Sequence, residues 1–580
     1  MVGVPAATMT PPQRSETPPG PPSAGVPAPD AHAQRHGALS RAVQATSLMT
    51  LGSRIGGLVR DVLIGRVFGD VGFIGSAFAF AFAFPNMFRR LFGEGALSAA
   101  FLPEYTDAVK TAERGTPGPV GGGGVAQADQ LASLTMCMLG IVTAAITAAI
   151  ELVILAVLIL TPHDEARALS LKLVMVMLPF MPLICIVAIQ AAMLQVHGRY
   201  GPAASGPLIL NAFIIAVGLW SMFTGWAGGE ITAYALGAAT VLSGVTQMFW
   251  FSRLLRTRFT FTRNWQGVRV RAGRMMRKFV PVAIGLGTLQ LNAFLDNLIA
   301  MWPIWVGATI FGRAYPLDTI SNLILSLTTR LYQFPLGVFG IAIATAAFPL
   351  LARHAREPDH FTDTLRRGMR LSLFIGLPAS IGLVLIREDV TALLFGSGRG
   401  AWSDESLLRS ASVLLGFSVG IWAYSLNHVF TRAFYAQQDT ATPMKVSIAV
   451  MLLNIALNLT LMWPMREAGL AWATSIAAMV QCVVLAVLSG RLLDRLHDTA
   501  GMPRQRLLDR ATIHAFARIA LAGAIMGGVV LAAAHVLPTR SSWPMRLFAV
   551  AVMSGSGGLT YLGAARALRL HELRWLLRRG

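Results

Sequence analysis

Charge is scarce in this chain of 580 residues: Asp, Glu, Lys and Arg together make up 13%, about half of the roughly 25% found in soluble domains. A chain that is also 54% hydrophobic cannot cover itself with polar surface in water. Cysteine is nearly absent. Cys137, Cys185 and Cys482 each fall inside an apolar run and no pair has Cys-x-x-Cys spacing, so the sequence offers neither a disulfide framework nor a zinc site. Acid is scarcer than base, 28 residues against 48, for a net charge of +20. The basic residues concentrate in loops and tails between apolar runs, which fits membrane orientation and not a nucleic-acid partner. The glycine run 121–124 lacks a following Gly-Lys-Ser or Gly-Lys-Thr, which excludes a P-loop and leaves a flexible linker. Ser-His-Asp, HExxH and paired-Cys constellations are missing too, so the sequence predicts no enzyme and no cofactor.

What the chain has in abundance is apolar length. Runs able to cross about 30 Å of hydrocarbon recur from residue 38 onward. They are apolar on all sides, where barrel strands would alternate. The reading is an all-α polytopic membrane protein with about 14 transmembrane helices. The spans are 40–59, 72–92, 131–160, 170–196, 204–225, 231–252, 279–302, 318–349, 371–394, 407–434, 446–464, 468–489, 514–537 and 545–568. Phe78, Phe80, Phe82 and Phe84 alternate with alanine like a strand, but an open strand would leave backbone groups unpaired in lipid, so helix is expected there. Residues 1–36, with nine prolines, read as a disordered cytoplasmic tail.

The loop 253–278 carries eight arginines and Lys278 without an acid, which places it in the cytoplasm. Alternate counting puts 351–370, 490–513 and both termini on that side. A faint repeat links Leu194 to Pro202, preceding Asn211, with Tyr435 to Pro443, preceding Asn454; Phe84-Pro85 similarly echoes Phe334-Pro335. Two six-helix lobes plus two C-terminal helices are therefore expected. They comprise an N-lobe over 37–252, the basic loop 253–278, a C-lobe over 279–495, and spans 13 and 14 with the C-terminal tail over 496–580.

Charge inside a span costs about 2.5–3.5 kcal/mol on insertion scales, so it marks a cavity or a partner. Arg54 and Asp61, seven residues apart, share a helix face at about 10 Å, and Arg60 points elsewhere unless Gly56-Gly57 bends the helix. The competing reading is that Arg60 and Asp61 snorkel at a span end. Arg89, closing the second span, reads either as a cavity residue or as a positive flank. Arg330 lies five residues before Pro335 in an apolar run, where a broken helix exposes backbone to a cavity. Asp296 is the one well-buried acid expected away from span ends, with Asn454 and Asn458 on one helix face as oxygen donors. These three suggest a sodium or proton site, or alternatively hydrogen-bonded helix contacts. An arginine-rich cavity favours an anionic, phosphorylated substrate.

Ser53-Arg54 through Arg60-Asp61, the run Phe84 to Pro103, Arg330 to Gly340 and Tyr435 to Pro443 closely resemble motifs of the MurJ/MviN family, the lipid II flippases of bacterial peptidoglycan synthesis. The resemblance covers about residues 40–570. It implies a multi-pass protein of the bacterial inner membrane, related to MATE-type exporters, and a substrate of lipid II or a similar polyprenyl-diphosphate-linked glycan. Carried over, its substrate-binding cavity residues are Arg54, Arg60, Asp61, Arg89 and Arg330, and spans 13 and 14 form a groove for the lipid tail. The small residues Gly523, Gly527, Gly528, Gly555, Gly557 and Gly558 of those spans leave such a groove or, alternatively, simply allow close helix packing. Some relatives carry acids where this chain has Ser76, Thr329 and Gln333, and the segment 301–317 looks enlarged. A MATE-like exporter of small cations and a non-transporting scaffold of cell-wall assembly are the alternatives.

Overall fold

A computed structural model describes residues 49, 52–89, 97–113, 124–337, 348–398, 400–537 and 542–577. The expected tail 1–36, the motif residues from Arg90 to Ala96 and Gly121 to Gly123 lie outside them. The first half of the chain forms α1 (52–68), α2 (Ile74–Phe88), α3 (Leu97–Glu113), α4 (Gly124–Leu160), α5 (Glu165–Met177), α6 (Phe180–Val196), α7 (Tyr200–Thr224) and α8 (Glu230–Leu255). The second forms α9 (Arg269–Trp305), α10 (Ser321–Pro335), α11 (348–353), α12 (Pro358–Phe395), α13 (Asp404–Val419), α14 (Ile421–Ala436), α15 (Ala441–Met465) and α16 (Glu467–Thr499). Last come α17 (Arg510–Val536), α18 (Trp543–Ala567) and α19 (His571–Leu577).

Among the described residues nine helical segments are long and apolar enough to cross a bilayer: α4, α5 with α6, α7, α12, α13 with α14, α15, α16, α17 and α18. Of the other expected spans, α2 is apolar but only 15 residues long, and α10 also has 15; together with α1 and α9 they carry the polar side chains of the central cavity. The alternating phenylalanines sit in α2 as a helix, with Phe78, Phe80 and Phe82 buried. Phe80 meets Phe294 and Trp305 of α9, so this face joins two helices tightly.

Three boundaries move. The basic loop expected over 253–278 becomes helical at Arg269, the start of α9; arginine is a good helix former, so charge alone does not end a helix. The expected span 170–196 breaks at Leu178-Pro179 between α5 and α6, and 407–434 breaks at Gly420, where α13 gives way to α14. A Cβ at Gly420 would stand 2.5 Å from the Ser475 hydroxyl of α16, so glycine permits this close approach. The segment 301–317 completes α9 and then turns back in a hairpin, Thr309–Ile310 paired antiparallel with Arg313–Ala314. Phe311 and Gly312 at its tip both have positive φ, 49° and 75°, as a two-residue hairpin turn demands.

The C-terminal pair α17 and α18 pack on each other and on α12. The Tyr561 hydroxyl donates to the Phe374 carbonyl at 2.6 Å, and Arg546 donates to the carbonyls of Ala392 and Gly396. The six glycines divide here. A Cβ at Gly523 or Gly557 would crowd Ile381 or Val530 at 2.9 and 2.7 Å, and one at Gly527 would meet Ile381 at 3.3 Å, so these three serve close packing. Gly528, Gly555 and Gly558 face open space.

Candidate substrate cavity

The polar centre begins on α1. Gly56 and Gly57 let α7 approach so closely that Asn211 lies against them, and the Asn211 amide donates to the Ser53 carbonyl at 3.1 Å. Its oxygen accepts from Arg60 Nη1 at 2.9 Å. Arg60 also donates through Nε and Nη2 to Asp61 Oδ1 at 2.9 and 2.7 Å, and its guanidinium lies 5.0 Å from the centre of the Phe82 ring. The expectation that Arg60 points away unless the helix bends does not hold. The helix is continuous over 52–68, and the long side chain folds along it to reach its neighbour. Both side chains are 10% exposed, so this is a buried pair and not a snorkelling end.

Arg330 enters from α10, with Nε 3.7 Å from Asp61 Oδ2 and Nη1 donating to Gln333 Oε1 at 3.4 Å. Arg89 Nε donates to Asn86 Oδ1 at 3.1 Å, and Asn86 in turn donates to the Phe82 carbonyl. Arg54 lies against Gly337, where any Cβ would collide with its guanidinium. All five residues line one cavity of about 830 Å³, together with Asn211, Gln247, Gln290 and His428. Among the described residues four arginines share the cavity with a single carboxylate, Asp61, an excess of positive charge suited to phosphate.

A smaller cavity of about 340 Å³ adjoins it, and Asp61, Asn86, Gln290, Arg330 and Gln333 line both. Of the residues expected as a cation site, Asp296 and Asn454 line it, and Asn458 lies fully buried against both. Asn458 of α15 donates to Asp296 Oδ1 of α9 at 2.6 Å and to Asn454 Oδ1 at 3.0 Å, while Asn454 donates to the Thr474 hydroxyl of α16 at 3.3 Å. The carbonyl oxygens of Asn458 and of nearby Asn292 are buried without a hydrogen-bond partner. A carboxylate among unused amide oxygens is an oxygen-rich set of the kind hard cations take. Asp296 is not the only deeply buried acid: Glu467, 2% exposed, accepts from Arg409 Nε at 2.6 Å, and Arg409 also binds Asp318.

Polar contacts bridge the two halves at both ends of the cavity. At one end Trp402 donates to the Gly65 carbonyl at 2.9 Å, Ser403 donates twice to Asp70 Oδ2 at 2.8 and 2.5 Å, and Arg66 donates to the Leu394 carbonyl. Ser76 stands at the α2–α10 contact, its hydroxyl accepting from the Leu323 amide and its carbonyl from Asn322. At the other end Arg271 of α9 bonds Glu104 and Asp107 of α3 at 2.9 and 2.6 Å. Asn211, Gln290, His428 and Thr474 escaped the sequence reading as site residues. The repeat that pairs Asn211 with Asn454 held the signal for the first, since both amides fall in the polar centre.

Membrane-crossing helices around a polar, positively charged cavity define a membrane transporter. A profile of the family "Lipid II flippase MurJ" matches residues 64–549. The chain is 28% identical over 540 residues to the probable lipid II flippase MurJ of Vibrio cholerae serotype O1, covering 91% of this chain and 96% of that one. Its backbone is similar to that of lipid II flippase MurJ in an inward closed conformation, with a TM-score of 0.69, 22% identity and coverage of 92% and 99%. It is also similar to an inward-facing multidrug-resistance MATE transporter of the MOP superfamily, with a TM-score of 0.59, 14% identity and coverage of 78% and 99%. The chain belongs to the MurJ family of lipid II flippases.

Proposed function

We propose that this chain carries lipid II from the cytoplasmic to the periplasmic leaflet of a bacterial inner membrane by alternating access. The observation that carries the reading is the cavity between membrane-crossing helices in which Arg54, Arg60, Arg89 and Arg330 meet, among the described residues, the single carboxylate of Asp61. A diphosphate needs fixed cations, and guanidinium groups stay charged at any cellular pH. The sugar-peptide headgroup needs a polar space, and the open glycine face of α17 and α18 leaves the polyprenyl tail in lipid. Such a cavity repels small cationic drugs.

The contacts at the two ends serve as alternating gates between an N-lobe over 37–252 and a C-lobe over 279–495. Anion binding across Arg60 and Arg330 draws the lobes together, and release lets the opposite gate open. Both termini and the loop 253–278 lie in the cytoplasm by their arginine content. The Asp296, Asn454 and Asn458 cluster binds the coupling ion, sodium or a proton.

Complementation of flippase-depleted bacteria tests the reading. The wild-type chain restores growth, whereas Arg54→Ala, Arg330→Ala and the compensated Arg60→Ala/Asp61→Ala each abolish rescue at normal membrane levels. Full rescue by all three variants would overturn the cavity assignment.

A further inference from the structure

Two grooves indent the outer face of the α1–α8 half, and they differ in kind. One, of about 1010 Å³ between α5, α7 and α8, is lined only by apolar side chains, as expected of a surface against hydrocarbon. The other, of about 780 Å³, lies between α4, α6 and α8 at the end nearest the basic loop. Its walls are apolar, with Ile141 and Phe249 exposed at the rim. Its mouth is not. Arg253 and Arg256, one turn apart, are exposed there, and neither forms an ion pair among the described residues. Beside them Gln190, 6% exposed, donates to the Ser252 hydroxyl at 2.8 Å, while its own carbonyl oxygen is buried without a partner.

Two unpaired guanidinium groups above an apolar cleft match a molecule with an acidic head and hydrocarbon chains. Basic pockets between membrane helices take acidic lipid headgroups in this way. The unused Gln190 oxygen calls for a donor at the level of the head, which a headgroup hydroxyl supplies. We infer that the α4–α6–α8 groove is a binding site for an acidic, hydroxyl-bearing glycerophospholipid of the leaflet beside the basic loop, separate from the substrate cavity. The phosphate sits between Arg253 and Arg256, the head hydroxyl donates to Gln190 and the acyl chains lie over Ile141 and Phe249. The site shares walls with the cavity, because α6 and α8 turn Ile184 and Gln247 toward the substrate side and Gln190 and Ser252 toward this groove. A lipid seated here therefore braces the cavity wall.

The test uses the purified full chain and native mass spectrometry with added phosphatidylglycerol or phosphatidylcholine of identical acyl chains. The wild type retains phosphatidylglycerol in preference to phosphatidylcholine. Arg253→Gln/Arg256→Gln lowers that retention by roughly tenfold to thirtyfold, the effect of two basic contacts at an acidic lipid. Arg269→Gln/Arg274→Gln removes the same charge from exposed positions outside the groove and changes retention less than about twofold. Ile141→Trp fills the groove from an exposed position with every charge intact, and it displaces the lipid as well. Arg330→Ala, which fails in transport, keeps it. Equal losses in both double variants, unchanged retention in Arg253→Gln/Arg256→Gln or in Ile141→Trp, or equal retention of both lipids by the wild type would each overturn the site.

Discussion

Asn211 and Asn454 occupy matching places in the sequence repeat, yet the polar centres around them have opposite chemistry. On the α1–α8 side, Asn211 accepts from Arg60 and helps hold a cation in place. On the α9–α16 side, Asn454 accepts from Asn458, which donates to the Asp296 carboxylate. One region gathers guanidinium groups and the other a carboxylate with amide oxygens, and Arg330 lines the cavities of both. The two polar centres thus present opposite charge side by side, which supports the proposed pairing of an anion site with a cation site. This is the arrangement expected where an anionic substrate and a coupling cation must influence each other through one shared wall.

The comparison breaks most sharply at its joint. Arg330→Ala leaves Asp61 Oδ2 without its cation, and it should lower affinity for a polyprenyl diphosphate by about tenfold to a hundredfold, as for a lost charged hydrogen bond. A binding titration reads the loss. Arg60→Ala strands Asp61 and Asn211 in a buried site and should destabilise the fold by about 3–5 kcal/mol. The double variant Arg60→Ala/Asp61→Ala should recover much of that loss while still failing in transport. Thermal unfolding in detergent separates the two effects.

Smaller effects sharpen the contrast between the ends and between the faces. Arg271→Ala, which opens the α3–α9 contacts, should raise thiol labelling of a cavity cysteine from the basic-loop side. Asp70→Asn should raise it from the opposite side. Burial pushes the Asp70 carboxyl up, but donation from the Ser403 backbone and hydroxyl outweighs this and holds it below the usual carboxylate range. A lowered value means that the Asp70–Ser403 link is fully present at neutral pH. It is lost only as pH falls through the lowered value, below about 4, so labelling from that side should increase only in acid. Smallest of all, Gly528→Trp, placed in open space, should weaken binding of tail-linked diphosphate while sparing stability. Gly523→Trp, facing Ile381 at 2.9 Å from a Cβ, should lower stability first; melting curves and ligand titrations tell these apart.

The cost of charge in lipid made Arg54, Asp61, Arg330 and Asp296 legible from sequence, because each interrupts an apolar run that would otherwise cross the bilayer. The orientation of Arg60 was not legible. Helical spacing describes where Cβ atoms point, whereas an arginine side chain is long enough to lie along its own helix. The break at Gly420 and the hairpin at 309–314 also depend on what packs against them, and apolar runs do not encode that. The glycines of α17 and α18 were legible only as a set. Which of them touch a neighbour is decided by Ile381 and Val530, on other parts of the chain.

The most direct test of two opposed sites joined at Arg330 is one titration series. Polyprenyl diphosphate is bound to wild type, Arg330→Ala and Asp296→Asn, with sodium and pH varied in each. The account predicts that Arg330→Ala weakens binding at least about tenfold under every ion condition. Asp296→Asn should bind the diphosphate within about twofold of wild type but lose the dependence on sodium or pH. Wild-type affinity in Arg330→Ala, or an equal, ion-independent loss in both variants, would contradict it.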